Sequence, residues 1–159
     1  MYDRILVALD DSASAQMALG EAVRLAKESR GVVYGVSVVD RGRWPGEVSA
    51  RFEFEPEPSA ASNAATHIFD EANALFRDSG VSGKTRAIDA YGESVPEVIA
   101  RAAEECDADI IVMGTHGRRG ASRFMLGSVA ESLVRASQRP VLLVRHHGHG
   151  SGAQTASQA

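Results

Sequence analysis

Short runs of apolar residues take turns along this chain with longer stretches whose apolar positions recur every three to four residues. That rotation predicts five strands alternating with four helices. RILVAL, residues 4–9, is the first strand. It runs into Asp10, Asp11 and Ser12, after which Ala15, Leu19, Ala22, Val23 and Ala26 repeat at helical spacing. GVVYGVSVVD, residues 31–40, follows a glycine stop and is rich in β-branched and aromatic positions, which marks a second strand. Ala65, Ile68, Phe69, Ala72, Leu75 and Phe76 share one face of a helix predicted over 60–79, with Gly80 as its stop. A third strand is expected near 84–91. Ser94 then stands as an N-cap, with Pro96 in the first turn and Glu97 at capping-box spacing, ahead of a stripe of Val95, Val98, Ile99 and Ala102. ADIIVMG, residues 108–114, is a continuous apolar run of the kind buried on both faces of a parallel sheet. A fourth helix over 129–137 and the strand PVLLV, opening on Pro140 and closing on Val144, complete the pattern.

Strands and helices in this order predict an α/β, three-layer fold with a doubly wound parallel sheet and right-handed crossovers. Ligands of such sheets bind where the strand order reverses. Here the reversal is placed between strands one and four, which brings Leu9 and Asp10 beside the segment that follows Met113. The last strand has no polar gatekeeper in VLLV and is expected to pair with a second copy, giving a homodimer. Residues 41–59 break the pattern with Gly42, Pro45, Gly46, Pro56 and Pro58, and Glu53, Glu55 and Glu57 keep them solvated. They read as a long loop, either a plain insertion or, given Trp44, Phe52 and Phe54, a lid or partner surface. Residues 146–159 lack periodicity and read as a disordered tail, so one domain is expected over 1–145.

Composition narrows the picture. With 159 residues, 44% of them hydrophobic, the chain can bury one ordinary core. A net charge of -4 without basic runs opposes nonspecific binding to nucleic acid or anionic membrane. No apolar stretch nears the roughly 20 residues needed to span a bilayer, and Asp3 and Arg4 stand where a signal peptide would be apolar, so a cytoplasmic protein is expected. The single cysteine, Cys106, allows no intramolecular disulfide and reads as a small hydrophobe closing a helix.

The candidate chemistry lies after strand four. Gly114, Gly117, Gly127 and Ser128 form G-x2-G-x9-G-S, and an amphipathic helix begins near Val129. Strand, glycine-rich loop and helix start make a phosphate cradle, because the first amides of a helix lack partners and glycines let the loop approach an anion closely. A helix dipole contributes roughly 0.3 to 1 kcal/mol, against about 8 kcal/mol for a micromolar ligand. Several loop amides, at about 1.5 to 3 kcal/mol per charge-assisted bond, must supply the rest. Simpler readings stand beside this one: Asp10 as a cap of the first helix with Asp11 and Ser12, Ser128 with Glu131 as a capping box, and Gly114, Gly117 and Gly120 as turn glycines. His116, Arg118, Arg119 and Arg123 are the local charges able to offset phosphate, and each alone reads as a solvated loop residue. His146, His147 and His149 lack a carboxylate or thiolate partner, so no structural metal is assigned.

GTHGRRGASRFMLGSVAESLVRASQRPVLLVR, with AAEECDADIIVMG before it and RILVALDDS at the start, resembles the universal stress proteins over residues 1–145. That resemblance implies a Rossmann-like, adenine nucleotide alpha hydrolase-like sheet of order 3-2-1-4-5, a dimer through the last strand, and ATP in the crevice. By position it assigns Ala8, Leu9 and Asp10 to adenine and ribose, and Val38 to a hydrophobic contact on strand two. It assigns Met113, Gly114, Gly117, Gly127, Ser128 and Val129 to ribose and phosphates. Asp11 departs from the small or apolar residue common at its place, and its carboxylate would repel polyphosphate unless it faces outward or meets a metal. The resemblance implies a nucleotide-responsive module, with ATP, magnesium-bound ATP or AMP as ligand. A slow ATP hydrolase or nucleotidyl transferase and a nucleotide-free dimeric scaffold are the alternatives. No G-x-x-x-x-G-K-[ST] loop and no evident base for water attack accompany the cradle, so no catalytic residue is assigned.

Overall fold

A computed structural model of the chain describes residues 2–39, 60–115 and 127–146. Its elements run β1 (Arg4–Ala8), α1 (Ala13–Ser29), β2 (Val32–Val39), α2 (Ala60–Ser79), β3 (Ser82–Asp89), α3 (Val95–Glu105), β4 (Ile110–Gly114), α4 (Ser128–Ala136) and β5 (Val141–Val144). The five strands form one parallel sheet of order β3-β2-β1-β4-β5. Residues 41–59, the segment in which a lid was weighed, and the tail beyond 146 lie outside the described residues.

Period-two alternation divides the strand side chains between two cores. Ile5, Val7, Val33 and Val112 face α1 and α2, where they meet Ala18, Ala22, Val23, Ala72 and Phe76. Leu6, Val36, Ile111 and Met113 face α3 and α4, where they meet Ile99, Ala102, Ala103 and Leu133. Helices on both faces explain why β4, and β1 from Ile5 onward, are apolar without alternation. Burying each of these aliphatic side chains stabilises the fold by about 1.5 to 3 kcal/mol.

Three boundaries differ from the sequence expectation. The turn that ends α1 takes its left-handed residue at Arg30, φ 59, rather than at Gly31. Gly31 is required for a different reason, since a Cβ there would stand 2.7 Å from the Tyr2 carbonyl oxygen and 2.8 Å from that of Asp3. Strand β3 starts at Ser82, two residues earlier than expected, because it pairs with β2 from Val32↔Ser82 onward even though its own alternation is weak. The last strand starts at Val141; the Pro140 carbonyl accepts from the Ile111 amide just ahead of it.

At the start of α3, Glu97 Oε2 accepts from both the Ser94 amide at 3.2 Å and the Ser94 hydroxyl at 2.9 Å. Those bonds hold the Glu97 carboxyl below its ordinary pKa. The Cys106 thiol is half-buried at the other end of this helix, and desolvation pushes its pKa up, which fits an inert space-filling role.

One carboxylate fixes how β1 lies against β4. Asp109 Oδ2 accepts from the amides of Asp3 and Arg4, both at 2.9 Å, and the Asp109 amide donates to the Arg4 carbonyl at 2.8 Å. Among the described residues the nearby Asp107, itself largely exposed, makes ion pairs at 3.7 Å to Arg4 and 3.3 Å to Arg139. Asp109→Ala is therefore expected to destabilise the fold by about 2 to 3 kcal/mol, lowering Tm by roughly 4 to 12 °C. Asp107→Asn should change stability by less than about 1 kcal/mol. Thermal unfolding of the two variants side by side checks the contrast.

Candidate functional site

Pairing of Ile5↔Ile110, Leu6↔Ile111 and Val7↔Val112 places β1 directly beside β4. Strand β1 also pairs with β2, so the chain leaves β1 and β4 toward opposite edges of the sheet. Such a divergence is where open α/β sheets form a ligand crevice, at the C-terminal ends of the two strands. Continuing the register sets Ala8 abreast of Met113, so two segments about a hundred residues apart in sequence share one floor.

Those residues singled out from sequence that the structure describes have unequal roles. Ala8 and Val38 are half-buried and belong to the α3–α4 core, which leaves apolar surface at the crevice edge. Leu9 does not present its side chain to that core: it is 5% exposed, packs with the α1–α2 core, and its amide donates to the Val36 carbonyl at 2.8 Å. Met113 is likewise buried, at 6% exposure. Asp10 is half-buried, and its Oδ1 accepts from the Ser12 amide at 2.7 Å. Ser12 is the N-cap of α1, its hydroxyl accepting from Ala15 N–H at 3.2 Å. Asp10 thus supports the cap residue and does not cap the helix itself.

Gly114 has a steric reason to be glycine. A Cβ there would stand 2.3 Å from Ser14 Oγ and 2.7 Å from both the backbone carbon and the Cβ of Ser14. Strand β4 therefore ends in contact with the first turn of α1. Ser14 and Thr115, each 3% exposed, are the residues that sequence reasoning missed. Thr115 anchors the base of the glycine loop: its amide donates to the Val144 carbonyl at 3.0 Å and its carbonyl accepts from Gly127 N–H at 2.8 Å. Its one sequence signal was its place immediately after the strand, which a loop residue shares.

The start of α4 corrects one expectation. Ser128 and Glu131 do not form a capping box, because the N-cap is Gly127, with φ -59 and ψ 148, and Ser128 is already helical. Glu131 turns along the helix to Arg135, 2.9 Å away, instead of back to the cap. Among the described residues no side chain caps the helix, and its first helical bond is Glu131 N–H to the Gly127 carbonyl at 3.0 Å. The amides of Ser128, Val129 and Ala130 therefore have no intrahelical acceptor. Ser128 is exposed and Val129 half-buried against the α3–α4 core. Gly117, Gly120, His116, Arg118, Arg119 and Arg123 lie outside the described residues. Among the described residues no group of three or more His, Cys, Asp or Glu side chains converges on a metal position, and no helix is long and apolar enough to cross a membrane.

Chemically, the crevice combines a half-buried apolar edge, a carboxylate, and helix amides whose dipole favours an anion. Such a set accommodates a flat apolar ring, hydroxyl donors and a phosphate. The model of the universal stress protein family matches residues 1–145. A universal stress protein of Methanocaldococcus jannaschii is 32% identical over 146 residues, covering 91% of this chain and 83% of the relative. The crystal structure of a protein from the universal stress protein family of Burkholderia pseudomallei is 36% identical with a TM-score of 0.70, covering 90% of this chain and 96% of that one. The structure of the universal stress protein from Archaeoglobus fulgidus in complex with dAMP is 26% identical with a TM-score of 0.66, covering 90% and 98%.

Gly114→Ala should destabilise the fold by about 1 to 3 kcal/mol, since part of the clash is with Ser14 backbone and cannot be relieved by a rotamer change. Gly127→Ala, at backbone angles open to any residue, should cost less than about 1 kcal/mol. Chemical denaturation curves of both variants test this, and equal losses would remove the steric account of Gly114.

Proposed function

The chain belongs to the universal stress protein family, and from that premise we propose that it binds an adenine nucleotide in the crevice between β1 and β4. The observation that carries the proposal is the uncapped start of α4, with the amides of Ser128, Val129 and Ala130 beyond the reach of intrahelical acceptors at the sheet's reversal point. The dAMP complex of the Archaeoglobus fulgidus protein supports an adenine monophosphate as the minimum ligand. In this reading Ala8 and Val38 flank the base, Asp10 accepts from ribose hydroxyls, and Gly114, Gly117, Gly127, Ser128 and Val129 surround the phosphates. Leu9 and Met113 contribute backbone and packing, since their side chains are buried.

ATP is the proposed ligand, with magnesium bound through phosphate oxygens and water as that ion prefers. Binding rather than turnover is the proposed activity: helix amides stabilise a bound phosphate without supplying a base or a strongly polarising cation. Occupancy then changes the shape or partner choice of a stress-responsive module. We also assign β5 as the dimer edge. Val141, Leu142, Leu143 and Val144 are all half-buried and apolar, while the opposite edge, β3, carries exposed Lys84 and Arg86. Sedimentation equilibrium should return twice the chain mass; a monomer at all concentrations would remove the dimer.

Ser128→Asp distinguishes a ligand site from a mere helix start. A carboxylate in the first turn suits the helix dipole, so stability should hold or rise by a few tenths of a kcal/mol. The same charge beside phosphate should weaken ATP or AMP binding by about tenfold or more, measured by calorimetry. Mass spectrometry of ligand released from freshly purified, denatured protein names the nucleotide without presupposing one. Unchanged affinity in the variant, together with no nucleotide in the wild-type extract, would falsify the proposal. Phosphate release well above a Gly127→Leu control would replace binding by slow hydrolysis.

A further inference from the structure

Strand β3 ends the sheet opposite β5, and among the described residues β2 is its one strand partner. The Ala90 amide donates to the Val39 carbonyl at 2.9 Å. Because backbone groups alternate sides along a strand, Gly83, Thr85 and Ala87 turn theirs outward. These three residues have their side-chain positions toward α2: a Cβ on Gly83 would strike the Phe76 ring, and Thr85 accepts from Asn73 at 3.3 Å. Lys84, Arg86 and Ile88 occupy the other face.

On that other face α3 packs over β2 and leaves a groove above β3. One hollow of about 500 Å³ has Val36, Ile88 and Ala102 as apolar floor and Lys84 and Arg86 as rim. It continues past Arg86 and Glu105 into a second hollow of about 410 Å³, bounded by Arg101 and Tyr91. Tyr91 is 85% exposed and held at φ 47, in a turn closed by Glu93 N–H on the Ala90 carbonyl at 2.8 Å. The lining sets Lys84, Arg86 and Arg101 beside Glu105 and Asp89, and Arg101 is paired with Glu93 at 2.5 Å, so Lys84 and Arg86 are the cations that a ligand at the β3 edge meets, in a chain whose net charge is -4. Arg86 reaches Glu105 across the groove at 3.2 Å, an exposed pair that a better-placed carboxylate can replace.

We propose that the β3 edge and its groove take an extended acidic polypeptide segment as a sixth strand. Its backbone pairs with the outward groups of Gly83, Thr85 and Ala87, and its acidic side chains lie beside Lys84 and Arg86 on the α3 face. Its alternate side chains are small or apolar and lie on the α2 face beside Gly83, where no side chain rises. A second copy of this chain fits poorly, since two β3 strands side by side would oppose Lys84 and Arg86 to one another. The same charges that prevent self-pairing select an acidic partner. This surface is separate from the β1–β4 crevice, and the inference does not depend on nucleotide binding.

The test uses the full chain with fluorescein-labelled peptides of about eight residues, the length of β3, one alternating Glu and Val and one alternating Lys and Val. Anisotropy should show the acidic peptide binding about tenfold or more tightly than the basic one. Lys84→Glu with Arg86→Glu should lower that affinity by about tenfold or more, and Glu105→Gln, which releases Arg86, should raise it by about threefold. Amide shifts should map to residues 83–89. Absence of binding, equal binding of both peptides, indifference to Glu105→Gln, displacement of the peptide by ATP or AMP, or shifts confined to α4 would each overturn the proposal. Tighter binding of single-stranded RNA than of the acidic peptide would reassign the groove.

Discussion

The lateral pairing of β1 with β4 is the constraint on which everything else in this fold rests. A parallel strand can be reached only by a crossover, and right-handed crossovers put successive helices on one face as long as the chain moves in one direction across the sheet. The chain moves from β1 to β2 to β3 under α1 and α2, then returns past both to β4 under α3. That return creates both the second hydrophobic layer and the crevice. It is secured at one end by the Asp109 carboxylate on the Asp3 and Arg4 amides, and at the other by the contact of Gly114 with Ser14. Between them Ile5, Leu6, Val7, Ile110, Ile111 and Val112 are buried at 5% exposure or less, so the register cannot slip without exposing an entire strand face.

Close approach at Gly114 couples fold to site. It brings the first turn of α1 against the end of β4, so Ser12 and Asp10 sit next to the start of the glycine loop. Thr115 then clamps the loop base, holding Gly127 to itself and β5 to β4 through two backbone bonds. The Gly127 amide is satisfied by this clamp and is removed from the donors open to a ligand. The proposed phosphate contacts then fall to the three amides behind it, and their weight would follow from number: one helix dipole is too small, whereas two or three charge-assisted bonds at about 1.5 to 3 kcal/mol each reach the range of a useful ligand.

Much of this was legible in the sequence because the informative signals were of long range in period and short range in chemistry. Apolar runs of β1 and β4, the stripes of α1 and α3 and the α2 span follow from patterning that tertiary structure does not override, whereas the full strand order was implied by the resemblance to the universal stress proteins. Boundaries were less legible where two residues could play one role. Gly127 and Ser128 are both accepted N-caps, and only the observed backbone angles show that Gly127 is the cap and that Glu131 answers to Arg135. Gly31 and Arg30 exchange roles in the same way, since glycine was required by the carbonyls of Tyr2 and Asp3 and not by a left-handed turn. Leu9 was assigned to the crevice beside Ala8, but its side chain packs in the α1–α2 core, because a one-residue step along the chain sends it to the opposite face. Ser14 and Thr115 had no pattern to betray them: their importance is a contact between segments that sequence spacing does not encode.

The two free edges of the sheet show how charge divides the surface of a small α/β protein. Both edges expose backbone groups, and an edge left unmarked invites indiscriminate pairing. On β5 the four residues are apolar and only half-covered, so pairing with an equivalent edge removes further apolar area from water and meets no repulsion. On β3 the residues facing α3 include Lys84 and Arg86, and an identical strand would set cation against cation. The asymmetry therefore gives the molecule one edge suited to itself and one that refuses itself. The switch point at β1 and β4 lies between the two edges, bordered by β2 on one side and by β5 on the other. The proposed nucleotide, second copy and acidic partner therefore address different strands of one sheet.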